Sequence, residues 1–96
     1  MPTLATEMKS IHLATTLPGP RSLALQQRLE ACMPRGIKSA LPVFIASAAG
    51  ATLTDVDGNR FLDFAGGIGC QNSGHLPPRV VEALHRQVDQ FLHTCF

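Results

Sequence analysis

The sequence predicts an α+β segment in which two helices flank an antiparallel hairpin or a three-stranded meander. Asp57-Gly58 lies between two short apolar runs, which is a pattern typical of a β-hairpin. Apolar residues recur at helical spacing before the hairpin, over residues 22–32, and again after it, from Pro78 onward. The first observation predicts the strands, and the other two predict the flanking helices.

The first helix is predicted to begin at Ser22, because a serine hydroxyl suits the N-cap position, and to run to Cys32. Leu25, Leu29 and Cys32 share one face of this helix. Pro34 ends it, since proline cannot continue a helix.

Two parts of the chain are distinguished by their patterning. Residues 1–21 mix Thr, Pro and Gly without a sustained period, so we expect a flexible N-terminal extension, tethered at Pro18-Gly19-Pro20. Residues 22–96 carry all the predicted elements, and a length of 96 residues allows at most one small domain.

The hairpin is predicted to turn through Asp57-Gly58 in a two-residue type I′ turn. In that register Asp55 faces Arg60 and Leu53 faces Leu62. The charged pair would contribute less than about 1 kcal/mol to the stability of the hairpin.

A glycine-rich stretch, Ala65-Gly66-Gly67-Ile68-Gly69, follows the hairpin. Three glycines in four positions indicate a backbone that something approaches closely, or one with φ/ψ values that other residues avoid. Ile68 is the only bulky side chain there, and the residues alone leave open whether it lines a pocket or packs into a core. Asp63 is expected to cap a nearby turn, and His75 to be a turn residue hydrogen-bonded to backbone rather than a base.

The last helix is predicted to open at Pro78, because the first helical position tolerates a residue without an N–H. Glu82 and Arg86 are four residues apart in the favourable order. The apolar stripe of this helix consists of Val80, Val81, Leu84, Val88, Phe91 and Leu92.

Composition excludes several classes of function. The chain has eight Lys+Arg and seven Asp+Glu and no Tyr or Trp, so it lacks the basic surface and the stacking side chains typical of nucleic-acid-binding proteins. No apolar run is long enough to span a membrane. Three cysteines and four histidines lack metal-ligand spacing, so we expect no metal site and a reducing, cytoplasmic location. The glycines match no phosphate-binding motif.

The run from Asp55 to His75 fits the pattern D-x-x-G-x-x-[FY]-L-D-F-x-x-G-I-[GA]-x-x-N-x-G-H. This ordered set resembles the N-terminal region of class III pyridoxal-phosphate-dependent aminotransferases, and within them 4-aminobutyrate aminotransferases. The resemblance extends from about Leu29 to Phe96 and includes Met33-Pro34-Arg35-Gly36-Ile37 and Pro42-Val43-Phe44.

The resemblance implies that the chain is an N-terminal fragment, in which residues 22–96 are the incomplete N-terminal part of a class III aminotransferase domain. They would belong to the small domain of a two-domain α/β transferase of fold type I. The complete enzyme would use pyridoxal 5′-phosphate to transfer an amino group from an ω-amino acid to 2-oxoglutarate, as a cytoplasmic homo-oligomer. Ile68 matches the family isoleucine that contacts substrate. No catalytic or cofactor-binding residue is assigned, because Lys9 and Lys38 do not lie in the family's Schiff-base context.

Two alternatives remain open at this point. The enzyme could act on another ω-amine donor, such as ornithine or acetylornithine. The chain could instead be a short non-enzymatic binding protein that reuses this piece of the fold. Continuation of the reading frame after Phe96 would distinguish the second alternative from an enzyme fragment.

Overall fold

The computed structural model describes residues 11–95. The elements are α1 (Pro20–Cys32), β1 (Ile45–Ala49), β2 (Thr52–Asp55), β3 (Arg60–Leu62), α2 (Gly66–Gly69) and α3 (Pro78–Val88). The three strands form an antiparallel sheet in the order β1-β2-β3, so the predicted meander flanked by helices is confirmed. The short helix α2 was not predicted.

The β2–β3 turn has three residues rather than the predicted two, and the register differs accordingly. The Asp55 N–H donates to the Asn59 carbonyl at 2.9 Å, and the Gly58 N–H donates to the Asp55 carbonyl at 3.2 Å. Only Gly58 has positive φ in this turn, at 86°, as expected of a type I turn followed by a left-handed residue. Arg60 therefore lies opposite Thr54, and the predicted pairing with Asp55 is wrong.

The Asp55 side chain explains the longer turn. Its Oδ1 accepts hydrogen bonds from the N–H groups of Asp57, at 2.9 Å, and Asn59, at 2.8 Å. Its Oδ2 accepts from the Asn59 Nδ2 at 2.9 Å. By accepting hydrogen bonds from backbone N–H groups two and four residues further along the chain, this aspartate stabilises the three-residue turn relative to the predicted two-residue turn.

Asn59 connects the hairpin to the segment before α1. It is fully buried; its Oδ1 accepts from the Thr15 N–H at 2.9 Å, and its Nδ2 donates to the Thr15 Oγ1 at 3.0 Å. His12 pairs with Arg60 through two backbone hydrogen bonds. The flexibility proposed for residues 1–21 stays a prediction, because the first ten lie outside the described residues.

Helix α1 begins two residues before the predicted Ser22 N-cap, and its cap comes from the hairpin turn. The Asp57 carboxylate accepts from the N–H groups of Arg21 and Ser22, both at 2.8 Å. Gly19 holds the N-cap position without a side-chain cap, and a Cβ there would lie 2.3 Å from the Asp57 Cγ. The carboxylate therefore needs glycine at position 19, while Ser22 is buried within the first turn and its Oγ accepts from the Phe44 N–H at 3.4 Å.

This cap also sets the ionisation of Asp57. Partial desolvation raises its pKa, but the N–H groups of Arg21 and Ser22, the Ser22 hydroxyl and the Arg21 charge together lower the pKa below its ordinary value of 3.8. The carboxylate is therefore ionised at neutral pH, which favours its position at a helix N-terminus.

Helix α3 begins at Pro78, as predicted, with Pro77 as its N-cap. Glu82 and Arg86 form the predicted ion pair at 2.6 Å, but both side chains are well exposed, so the pair adds little stability. The helix ends at Val88, so the last two members of the predicted stripe lie beyond it.

No apolar residue among 11–95 is buried; the buried side chains in this part are those of Ser22, Thr52, Asp55 and Asn59. Most of the predicted stripe is exposed, from 50% at Val80 to 82% at Leu92, whereas Val81 is half-buried. The sheet borders an apolar hollow of about 730 Å³, and the lining of this hollow includes Leu53, Phe61 and Leu62. Polar contacts thus hold the described segment together while its apolar faces lie uncovered.

We expect the isolated 96-residue chain to lack a cooperative thermal transition, because exposed apolar faces supply little of the burial that stabilises a small domain. Circular dichroism on heating, with binding of a hydrophobic dye, tests this. A soluble monomer that melts sharply and binds no dye would contradict it.

Candidate functional site

The glycine-rich stretch forms the middle of a loop over residues 64–74, which we call the glycine loop. Its centre is α2, a single turn in which the backbone is left-handed at four successive positions. The φ angles are 54° at Gly66, 63° at Gly67, 61° at Ile68 and 78° at Gly69. Glycine adopts such angles without steric cost, so the three glycines explain how the turn forms.

Ile68 is the exception within this turn. With φ 61° and ψ 59° it lies in the left-handed region, where Cβ crowds the backbone and a β-branched residue is a genuine outlier. This conformation costs roughly 1–2 kcal/mol. Its side chain is 94% exposed, so no described residue buries it. Strain of this kind, at an exposed apolar side chain, is typical of a functional position.

Asp63 and His75 close the base of the glycine loop. The Asp63 Oδ2 and the His75 Nε2 are 2.6 Å apart, and these side chains are only 8% and 18% exposed. His75 also exchanges two backbone hydrogen bonds with Gly50, at 2.7 and 3.0 Å. The end of the loop is thus fixed both to the β1–β2 connection and to the residue that follows β3.

The same carboxylate fixes the start of α2. The Asp63 Oδ1 accepts from the Gly66 N–H at 2.8 Å, as the predicted cap requires. The Gly66 carbonyl accepts from the N–H groups of Cys70 and Gln71, both at 2.9 Å. Gly66 is therefore held through both backbone groups, and Ile68 stands two residues beyond it.

A cavity of about 350 Å³ opens beside this arrangement. Its lining includes the Gly50-Ala51 connection, the Asp63–His75 pair and the side chains of Gln71, Asn72 and Ser73. The polar side of the glycine loop thus faces a hollow with hydrogen-bonding groups.

The His75 hydrogen bond is the main cause of a lowered pKa at Asp63. The Gly66 N–H lowers this pKa further, against a smaller opposing effect of burial. Asp63 is therefore an anion at neutral pH and accepts both hydrogen bonds. This environment suits a structural acceptor better than a general acid.

The described residues do not provide a complete pyridoxal-phosphate site. Lys38 is exposed in the connector before β1 and lines a separate cavity of about 510 Å³, to which no residue of the glycine loop contributes. Lys9 lies outside the described residues. Covalent attachment of the cofactor needs a lysine at the site, so no reaction step can be derived from these residues.

Other candidate chemistry is also limited. No group of three His, Cys, Asp or Glu side chains within residues 11–95 could hold a metal ion. Cys32, Cys70 and Cys95 form no disulfide and are exposed. None of the helices in the described part combines the length and apolar character needed to cross a membrane.

The sequence indicated the loop but not the pairing at its base. Asp63 and His75 were each interpreted separately, as a turn cap and a turn residue. Their side chains meet because the loop reverses the chain over residues 64–74, which composition does not reveal. The signal that could have suggested the pair is a carboxylate and an imidazole flanking a glycine-rich loop.

Comparison with known proteins gives the family. A family model described as aminotransferase class III matches residues 33–96. The chain is 50% identical over 88 residues to 4-aminobutyrate aminotransferase of Mycobacterium leprae, which is 92% of this chain and 20% of that protein. It is 45% identical over 73 residues to 5-aminovalerate aminotransferase of Pseudomonas putida, covering 76% of this chain and 17% of that protein.

Solved structures agree with this result. An omega-transaminase from Sphaerobacter thermophilus superposes with a TM-score of 0.73 at 27% identity, covering 83% of this chain and 20% of that one. The chain spans about a fifth of the length of the curated relatives it matches. Class III aminotransferases depend on pyridoxal phosphate, and this chain belongs to that family.

Proposed function

We propose that this chain forms part of the substrate side of the active site in an enzyme that transfers an amino group from 4-aminobutyrate to 2-oxoglutarate. The glycine loop is the contributing part, and Ile68 contacts the methylene chain of the donor. The enzyme would bind pyridoxal 5′-phosphate through residues outside this chain. We further propose, from the family resemblance, that it is a cytoplasmic homo-oligomer.

The conformation of Ile68 carries this proposal. Ile68 is 94% exposed, so no contact with residues 11–95 offsets the conformational free energy that its left-handed backbone costs. A donor whose methylene groups pack against it would supply the missing apolar contact. The three glycines around it leave the backbone bare, so a ligand can approach closely.

The choice of donor rests on the relatives. The M. leprae relative is more similar to this chain than the 5-aminovalerate enzyme, which favours 4-aminobutyrate. These two donors differ by one methylene group. A larger donor such as acetylornithine is the second candidate, because an acetylornithine aminotransferase from Elizabethkingia anophelis superposes with a TM-score of 0.71.

A chimeric enzyme tests the proposal. In the chimera, the 88 aligned residues of the M. leprae enzyme are replaced by their counterparts from this chain. We expect it to bind pyridoxal phosphate and to transfer the amino group of 4-aminobutyrate to 2-oxoglutarate with a kcat/KM within about tenfold of its parent. Misplacement of the groups that bind substrate commonly lowers kcat/KM about 100-fold, so the tenfold limit separates a correctly placed loop from a misplaced one.

The matched control replaces residues 64–74 of the chimera by a Gly/Ser linker of equal length. This variant should fold and bind cofactor but lose about 100-fold or more in kcat/KM for the donor. A folded, cofactor-loaded chimera without turnover would overturn the proposal. Full activity in the linker variant would overturn it as well.

We expect the 96-residue chain alone to form no stoichiometric lysine adduct with pyridoxal phosphate after borohydride reduction. The reason is that Lys38 lies in an exposed connector without the groups that hold the cofactor. Peptide mapping by mass spectrometry provides the measurement. A single adduct at Lys38, accompanied by turnover, would contradict this expectation.

The glycine loop should also respond to acid. A carboxylate whose pKa is lowered by folding stabilises the folded state above its unfolded pKa, near 3.8 for Asp63. That contribution disappears as the pH falls through the lower folded pKa. In the chimera, hydrogen exchange over residues 64–75, corrected for the intrinsic pH dependence, should therefore accelerate below about pH 4.

The control for this acid transition is Asp63→Asn, whose amide does not titrate. Exchange in this variant should already be faster at neutral pH and should show no step of its own near pH 4. Unchanged protection of the loop in the chimera down to about pH 2.5 would contradict the assignment.

A further inference from the structure

We propose that Asp63 and His75 are positioning residues for substrate selection, because together they hold Ile68 in its left-handed conformation. This inference rests on the proposed function of the glycine loop. Neither side chain is proposed to touch the donor or the cofactor. Their effect on the reaction passes through the backbone of α2.

The first step of the argument is geometric. Asp63 uses one carboxylate oxygen for the Gly66 N–H at 2.8 Å and the other for the His75 ring at 2.6 Å. The start and the end of the glycine loop are therefore joined through a single side chain. If Asp63 moved, both ends of the loop would lose a contact at once.

The second step is that His75 is itself held in place. Its N–H and carbonyl both pair with Gly50, and a Cβ at the neighbouring Gly74 would lie 3.1 Å from the Gly50 oxygen. The imidazole thus projects from backbone anchored against the β1–β2 connection. It provides a fixed point against which the Asp63 carboxylate is oriented.

The third step concerns the strain at Ile68. An exposed β-branched residue relaxes to a right-handed or extended conformation unless its surroundings prevent it. Within α2, the Gly66 carbonyl binds Cys70 and Gln71, and the Gly66 N–H binds Asp63. Asp63 makes the side-chain contact to Gly66, and the Cys70 Sγ lies 3.9 Å from the Ile68 carbonyl. Removing the Asp63 carboxylate therefore takes away the side-chain restraint at the start of the turn and leaves the backbone hydrogen bonds of α2 in place.

The test measures donor discrimination in the chimera, expressed as the ratio of kcat/KM for 4-aminobutyrate to kcat/KM for 5-aminovalerate. We expect Asp63→Ala and His75→Ala each to reduce this ratio about tenfold, approaching the effect of Ile68→Gln. His75→Gln should restore much of the ratio, because its amide N–H can reach the carboxylate. His85→Ala, an exposed histidine on α3, provides the matched control and should leave the ratio unchanged.

Double variants separate positioning from a general loss of stability. If Asp63 acts through Ile68, then Ile68→Gln should change the ratio by less than about twofold in the Asp63→Ala background, since coupled residues are not additive. Additive effects would overturn the proposal. So would a lower melting temperature in Asp63→Ala with an unchanged ratio.

The outcomes also distinguish this inference from the proposed function. If Ile68→Gln alone leaves the donor ratio unchanged, the proposed function fails. If Ile68→Gln lowers the ratio but Asp63→Ala and His75→Ala do not, only the positioning role fails.

Discussion

Asn59→Asp is expected to be the most destabilising single change in this segment. Asn59 is fully buried, and its Nδ2 lies 2.9 Å from the Asp55 Oδ2. The substitution replaces that donor by a second carboxylate oxygen, so two acceptors face each other with no intervening proton donor. The Thr15 Oγ1 loses its donor as well. The Thr15 N–H still donates to the Oδ1 of residue 59, but the repulsion between two buried carboxylates remains, and we expect a cost of about 3–5 kcal/mol.

The effect is best measured as local opening in the chimera. A cost of about 3–5 kcal/mol corresponds to hydrogen exchange that is roughly 100-fold or more faster in the β2–β3 turn. Because Asn59 also binds Thr15, the segment before α1 should open together with the turn. Asn72→Asp provides the matched control, since it adds the same charge at an exposed position. Equal exchange in the two variants would contradict this account of the buried network.

Local sequence features predicted the elements well. Pro78 marked the start of α3, and Pro34 marked the end of α1, because proline restricts the backbone whatever surrounds it. The meander followed from turn residues between short apolar runs. These signals act within a few residues, so the sequence alone carries them.

Interactions between distant residues were not predictable in the same way. The α1 cap comes from Asp57, more than thirty residues after the helix start, so the local sequence indicated Ser22 instead. The hairpin register was missed because the Asp55 side chain favours a three-residue turn. Each error concerns a carboxylate whose partners are decided by the folded chain.

In the candidate site, too, the local features were predicted and the contact between distant residues was not. The glycines indicated an unusual backbone around Ile68, and four consecutive positive φ angles agree with that expectation. What sequence could not provide is the contact between Asp63 and His75, which depends on how the glycine loop folds back. The role of Ile68 as a substrate contact stays a prediction.

Ile68→Gln is expected to have the largest effect on substrate selection. A side chain that packs against methylene groups discriminates between donors by their length, and one methylene is worth about 1–3 kcal/mol in kcat/KM. Glutamine is similar in length but carries an amide that retains water, so the apolar contact is lost. Stability should not suffer, because the side chain is 94% exposed and an unbranched residue tolerates the left-handed region better.

The most direct test of the central claim is therefore the donor ratio of Ile68→Gln in the chimera, measured together with its melting temperature. The control is Ile37→Gln, which changes an exposed isoleucine in the connector before β1. We predict that Ile68→Gln lowers the ratio for 4-aminobutyrate over 5-aminovalerate about tenfold or more at an unchanged melting temperature, while Ile37→Gln does neither. A lower melting temperature with an unchanged donor ratio would show that Ile68 is a packing residue and would contradict the account.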